Sequence, residues 1–201
     1  MLCRTDHGNL HAGLFYTAEG EQRFLHLASQ DVLLNAWDLE GGIWVNAIID
    51  PIQEMGFAEM CAIIWENYTT RFPRHFDYGV HWNGSTFDKD GVPQLADGAQ
   101  GMSCASFVLS VFESVGVTLV DMTNWPTRKL EDLQMVSAFS FMGLPVQKRI
   151  LGEIIGGALR VRPQEMFVAC EMSRPLEPVA FEDLQLRANE LDAGLAHFDG
   201  D

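Results

Sequence analysis

The chain has 201 residues, of which 47% are apolar and 20% charged, and its formal net charge is -15. That length and mixture suffice to bury a core without disulfide staples. A surface this acidic repels phosphate backbones and anionic bilayers, which argues against nucleic acid and membranes as partners; the acids are dispersed rather than in runs, so they read as solvated surface.

In chain order, residues 10–16 and 23–28 read as two strands of a hairpin, turning at Ala18-Glu19-Gly20-Glu21. Residues 44–49 are a third strand candidate, stopped by Asp50-Pro51. Ile52, Met55, Met60, Ile63 and Ile64 fall near helical spacing and predict a helix over 52–68. Residues 69–102 are loop-rich, punctuated by Pro, Gly, Asn and Asp, with Phe76, Tyr78 and Trp82 interleaved. A connection this long within a compact domain is expected to line a site.

Ser103 then supplies an N-cap, and Phe107, Val108, Val111, Phe112 and Val115 repeat at helical spacing, predicting a helix from Cys104 to about Val115. Gly116 ends it, and residues 117–120 read as a short strand. The remainder is mainly helical, over 128–141, 146–156, 163–172 and 180–195, with Pro145 and Pro163 at two helix starts. Residues 196–201 read as a frayed end. The expected fold is α+β: a small antiparallel sheet packed on the helix that bears Cys104. The expected core spans residues 1–125, with a mainly helical extension over 126–201 packed on it.

The cysteines are Cys3, Cys61, Cys104 and Cys170, with no C-x-x-C pair to signal zinc or a redox dithiol. Cys61 and Cys170 lie in apolar runs and read as small core residues. Free thiols suit a reducing compartment. Residues 1–7 lack the apolar core of a signal peptide, and no stretch has membrane-spanning length. The expectation is a soluble, cytoplasmic protein, with signal-independent secretion as the alternative.

Cys104 is the residue with chemical promise. In the first turn of a capped helix, backbone N–H groups and the helix dipole favour a thiolate and offer donors to an oxyanion. A cysteine there equally fits a packed core. His11 and His26 shift the balance. With the turn centred on Glu19-Gly20, paired residues sum to an odd number, which puts both histidines on one face with β-carbons roughly 5–8 Å apart. One can serve as base to a thiol while the other orients it. His75, Asp77 and His81 include metal-ligating types, but their spacing matches no ligand signature and reads as loop surface. Asp97 reads as a loop acid, and Trp82 and Trp125 as buried packing. No phosphate-binding glycine motif and no G-x-S-x-G is present, so neither a nucleotide site nor a serine hydrolase is indicated.

The run from His11-Ala12-Gly13 through Phe24-Leu25-His26-Leu27-Ala28, followed much later by Ser103-Cys104-Ala105-Ser106-Phe107-Val108, resembles the circularly permuted NlpC-type papain-like thiol enzymes, a group that includes the lecithin:retinol acyltransferase family. The shared feature is the order His…His…Cys, with the cysteine at a helix start. The resemblance covers roughly residues 9–30 and 98–120; the gap between the histidines and the cysteine holds extra elements, and the C-terminal part lies outside it. It implies Cys104 as nucleophile, His11 as general base and His26 as the residue orienting His11. It further implies acyl transfer through a thioester, with an amide of a peptide, isopeptide or cell-wall peptide as substrate, and needs no cofactor or metal. A thiol acyltransferase or lipase acting on esters, a catalytically inactive papain-like binding module, and a delivered effector with a cognate protein inhibitor are the alternatives.

Overall fold

The computed structural model describes residues 1–4, 9–36, 42–71, 76–174 and 177–197. His7, His75 and the end of the expected frayed tail lie outside the described residues. The architecture is α+β, with three small antiparallel sheets and six α-helices among the described residues. The strands are β1 (Leu2–Arg4), β2 (Leu10–Ala12), β3 (Leu14–Ala18), β4 (Glu21–Ser29), β5 (Val32–Ala36), β6 (Thr86–Phe87) and β7 (Pro93–Gln94). The helices are α1 (Pro51–Thr70), α2 (Cys104–Ser114), α3 (Lys129–Met135), α4 (Leu144–Ile155), α5 (Pro163–Met172) and α6 (Phe181–His197). No helix among the described residues is long and apolar enough to cross a membrane.

The hairpin forms where its sequence pattern puts it. β3 pairs β4 from Leu14↔Leu25 to Ala18↔Glu21, leaving Glu19 and Gly20 as the turn, both at positive φ. Such two-residue turns match the right-handed twist of the strands they join. Leu14 and Tyr16 are buried, and Phe15 and Thr17 face out. The first expected strand, however, is two strands on two sheets. β2 pairs with β1, β3 pairs with β4, and the chain crosses between the sheets at Gly13. A β-carbon on Gly13 would stand 2.4 Å from the Phe24 ring and 2.6 Å from the His26 β-carbon, so only glycine permits this crossing. β5, which the sequence pattern did not reveal, completes the second sheet on the far side of β4.

Two expected strands are absent. Residues 44–49 form no ladder; the contact with β1 is a single bridge from Leu2 to Ile43. Their alternation is met by packing instead. Val45, Ala47 and Ile49 lean on the core, Trp44 and Ile48 are exposed, and the Ile48 N–H is satisfied by Ser173 Oγ at 3.0 Å. Likewise residues 117–120 make one parallel bridge, Val120 to Val179, in place of a strand. The helices fall close to their expected spans, although the 128–141 helix divides into α3 and a 3₁₀ turn over Val136–Met142.

At the centre lies α2. Every residue from Cys104 to Phe112 is buried, as befits a helix packed on all sides by β2, β4, β6, α1 and α5. Its start is held by a reciprocal cap: the Ser103 hydroxyl accepts the Ser106 N–H and the Ser106 hydroxyl accepts the Ser103 N–H at 2.7 Å.

The segments before α2 are organised by one buried carboxylate. Glu153 on α4 accepts the backbone N–H of Val80 at 2.6 Å, of His81 at 3.3 Å and of Gln100 at 2.8 Å. It thereby holds residues 77–81 against residues 99–102, which also bond directly through Met102 N–H to Asp77 O and Gly79 N–H to Met102 O. A β-carbon on Gly101 would lie 2.4 Å from the Asp77 carbonyl oxygen. Glu153→Ala removes the acceptor of the buried Val80 amide and of the part-buried His81 and Gln100 amides, and a buried amide costs about 1–3 kcal/mol when unsatisfied. The expected loss is about 3 kcal/mol, equivalent to roughly 6–12 °C in Tm for a chain of this size, read by thermal unfolding; a change under 2 °C would show that the carboxylate is dispensable.

Candidate active site

His11 ends up on β2 and His26 on β4, on different sheets, yet their rings meet. His11 Nε2 and His26 Nδ1 are 2.7 Å apart, with ring centroids at 4.8 Å and planes nearly perpendicular. The bare backbone of Gly13 lets His26 come this close, and the Phe24 ring lies 4.8 Å from the His26 ring on the same strand. Both imidazoles are buried.

Cys104 stands at the first position of α2, 5% exposed. β1 and β2 exchange bonds between Met1 and Gly13, so the next residue along β2, Ala12, is in the non-hydrogen-bonded register and turns its N–H away from β1. The N–H groups of Ala12, Cys104 and Ala105 lie near enough to the Cys104 sulfur to favour its thiolate. Tyr78, from the segment pinned by Glu153, sets its hydroxyl against the same sulfur. Cys104, His11, Tyr78 and Ser103 line one cavity of about 220 Å³. Its other walls are largely apolar, from Val80, Met135, Phe139, Phe141, Met142 and Val161, and Arg160 is the one charged side chain among the described lining residues.

Burial dominates the protonation of this site. It holds the Cys104 thiol above its ordinary 9.0, outweighing the three N–H groups and the Arg160 charge that favour the thiolate. Burial also lowers His11 to about 4, and burial with the neighbouring His11 lowers His26 to about 3. Burial pushes the Tyr78 phenol up as well. The helix start therefore does not produce the resting thiolate that its N–H groups and dipole alone would favour. The folded site holds a neutral thiol, two neutral imidazoles and a neutral phenol.

The remaining candidates have structural partners. His81 Nδ1 accepts the Leu159 N–H at 3.0 Å, and Asp77 receives Arg149 at 2.7 Å and Gln30 at 3.0 Å. No group of three or more His, Cys, Asp or Glu among the described residues could hold a metal ion. Trp82 and Trp125 are buried, Trp125 donating to Arg160 O at 2.9 Å. Asp97 lies outside the lining of the Cys104 cavity among the described residues. Cys61 and Cys170 are buried, and Cys3, opposite His11 across β1 and β2, is half-buried; all four cysteines are free. The sequence reading missed Tyr78 and Arg160 as neighbours of Cys104. Tyr78 had a weak signal, as an aromatic in a long loop; Arg160 had none.

No family model, no curated protein and no solved structure matches this chain.

The neutral histidine pair gives a signed pH prediction. Unfolded imidazoles take up protons near 6.5, whereas His11 and His26 in the folded chain stay neutral to about 4 and about 3. Below 6.5 the unfolded state binds more protons, so stability falls as pH drops and levels off only below the folded values. The pair accounts for roughly 2 kcal/mol between pH 6 and pH 5. Urea unfolding at pH 7, 6 and 5 should show this slope in the wild type and lose it in His11→Gln, His26→Gln; equal slopes in both proteins would refute the neutral pair.

Proposed function

We propose that the chain is a cysteine-dependent hydrolase of the permuted papain-like type, cleaving an amide through a thioester at Cys104. The observation that supports this reading is the His11–His26 hydrogen bond at the wall of the cavity that also contains the Cys104 sulfur. For His11 to act as base, its Nε2 carries the proton and donates to His26 Nδ1, which leaves His11 Nδ1 with a free lone pair. His26 thus fixes both tautomer and ring orientation, as the third member of a nucleophile–base–orienter set.

In the reaction, the Cys104 proton passes to His11 Nδ1 as the sulfur attacks the carbonyl carbon. The oxyanion forms beside the N–H groups of Ala12, Cys104 and Ala105. Collapse breaks the C–N bond, and the departing amine takes the proton from His11. Water, activated by the same imidazole, then attacks the thioester and frees the acid and the thiol. If an alcohol or amine replaces water in the last step, the same site is an acyltransferase. A peptide amide is the substrate class that the permuted papain-like resemblance favours.

The raised thiol favours a second reading, a papain-like binding module without turnover. Proton transfer from a thiol held above 9.0 to an imidazole near 4 runs uphill in the substrate-free site. Catalysis then depends on substrate filling the cavity and coupling that transfer to C–S bond formation. The two readings separate on a panel of chromogenic peptide amides. The hydrolase loses all turnover in Cys104→Ala and about 10²–10⁴-fold in His11→Gln, and an acyl adduct maps to Cys104 by mass spectrometry. Turnover that survives in Cys104→Ala, or no adduct with any activated amide or ester, leaves only the binding module.

A further inference from the structure

Arg160 stands apart from the rest of the cavity in charge and in setting. Its side chain is only 11% exposed, yet it borders the same space as the Cys104 sulfur. No acid borders that space among the described lining residues, although the chain as a whole carries -15. Its neighbour Asp132 is 2% exposed and accepts from Arg160 Nη1 at 2.9 Å, which occupies one edge of the guanidinium. Asp132 is shared with Arg162, whose nearer partner is Glu131. No other side chain among the described residues accepts from Arg160. A guanidinium has five N–H donors in a fixed fork suited to a carboxylate, and most of these remain for a ligand.

Position is fixed from behind. The Arg160 carbonyl accepts the indole N–H of Trp125 and an Arg128 guanidinium N–H, while Arg128 is clamped on Glu165 at the start of α5. The adjacent Leu159 N–H is bound by His81. The backbone at 159–160 is thus anchored on both sides, and Arg160 lines the cavity from a rigid base. Met135, Phe139 and Met142 line the same cavity, and their side chains suit an apolar group rather than a charge.

We propose that Arg160 is the specificity-determining residue of this site, binding a carboxylate on an otherwise apolar acyl substrate whose carbonyl is presented to Cys104; this rests on the thiol-hydrolase reading above. The substrate class is an amide of a carboxylate-bearing, apolar acyl group. Neutral amides lack the anchor, and cationic ones meet the guanidinium.

Iodoacetate and iodoacetamide test this directly, because they deliver the same carbon with and without a carboxylate. In each case the sulfur forms a C–S bond, iodide leaves with the C–I electrons and the thiol proton is lost. Site-resolved mass spectrometry on the full chain gives the rate at Cys104, with Cys3 as internal reference. We expect iodoacetate to alkylate Cys104 about tenfold or more faster than iodoacetamide, the order of one charge-assisted hydrogen bond. The acidic surface should give Cys3 the opposite order. The Cys104 preference should vanish in the charge-balanced Arg160→Met, Asp132→Asn variant, which leaves no buried carboxylate unpaired. Equal rates, faster iodoacetamide, or no reaction of iodoacetate at Cys104 in the folded wild type overturns the proposal without recourse to any variant. His11→Gln keeps the two readings distinguishable: it removes the proposed base and not the anchor. A retained iodoacetate preference there supports Arg160 as the anchor even if amide turnover is absent, and a lost preference overturns it.

Discussion

The placement of Tyr78, and of the segment that leads into Cys104, depends on the buried carboxylate of Glu153. It lies on α4, far along the chain from the segments it binds, and takes N–H groups from both of them. One of those segments presents Tyr78; the other runs through Met102 into the Ser103 cap and Cys104 itself. Burying a carboxylate is costly unless its oxygens are met by donors, and here the donors are backbone amides that would otherwise be orphaned. Each side therefore needs the other. The helical C-terminal part cannot be regarded as decoration on the cavity: α4 supplies this anchor, the 3₁₀ turn supplies Phe139 and Met142, and the stretch before α5 supplies Arg160.

That dependence explains the protonation of the site. Walls drawn from so many elements bury the thiol and both imidazoles, and at the thiol desolvation exceeds what a helix start and three N–H groups contribute. The thiol is raised and the imidazoles lowered, so the resting site is neutral except for Arg160. Under the proposed reaction, the charge separation between sulfur and His11 is made when a carbonyl is present to receive the sulfur. A substrate that brings a negative charge to Arg160 would place its own dipoles where the thiolate and imidazolium form.

How much of this was legible in the sequence follows from the range of the interactions. Local chemistry was readable: the Glu19-Gly20 turn, the Ser103 cap, the proline-marked helix starts and the apolar stripe of α2 all stand where short-range rules put them. The odd-sum register also put His11 and His26 on a common face, although the route differs, because Gly13 carries the chain to a second sheet. What failed was anything decided by a distant partner. Residues 44–49 and 117–120 alternate like strands, but pairing needs a free edge, and Ile43 and Val120 find only single bridges. β5 was hidden because its short apolar run has no turn signal as clear as the first hairpin's. Arg160 was unreadable in principle, since an arginine between Leu159 and Val161 has nothing local that distinguishes a cavity from a surface.

The residues buried near Cys104 do not have the composition that stability alone would select. Two histidines, an arginine paired with Asp132, a phenol and a thiol are withdrawn from water around one small cavity. Replacing buried ion pairs with well-packed apolar groups is commonly neutral or stabilising, and buried neutral histidines cost stability as soon as the pH falls toward 6. The remaining core is built mainly from Leu, Ile, Val and Phe on β4, α2, α4 and α5, and its buried carboxylates, Glu153 and Glu165, are met by backbone amides and by Arg128. Polar groups concentrated at one cavity, each held by a second element (His11 by His26, Tyr78 by the Glu153 anchor, Arg160 by Trp125 and Asp132), form a preorganised arrangement. Its cost is what the proposed binding of a substrate in this cavity would account for.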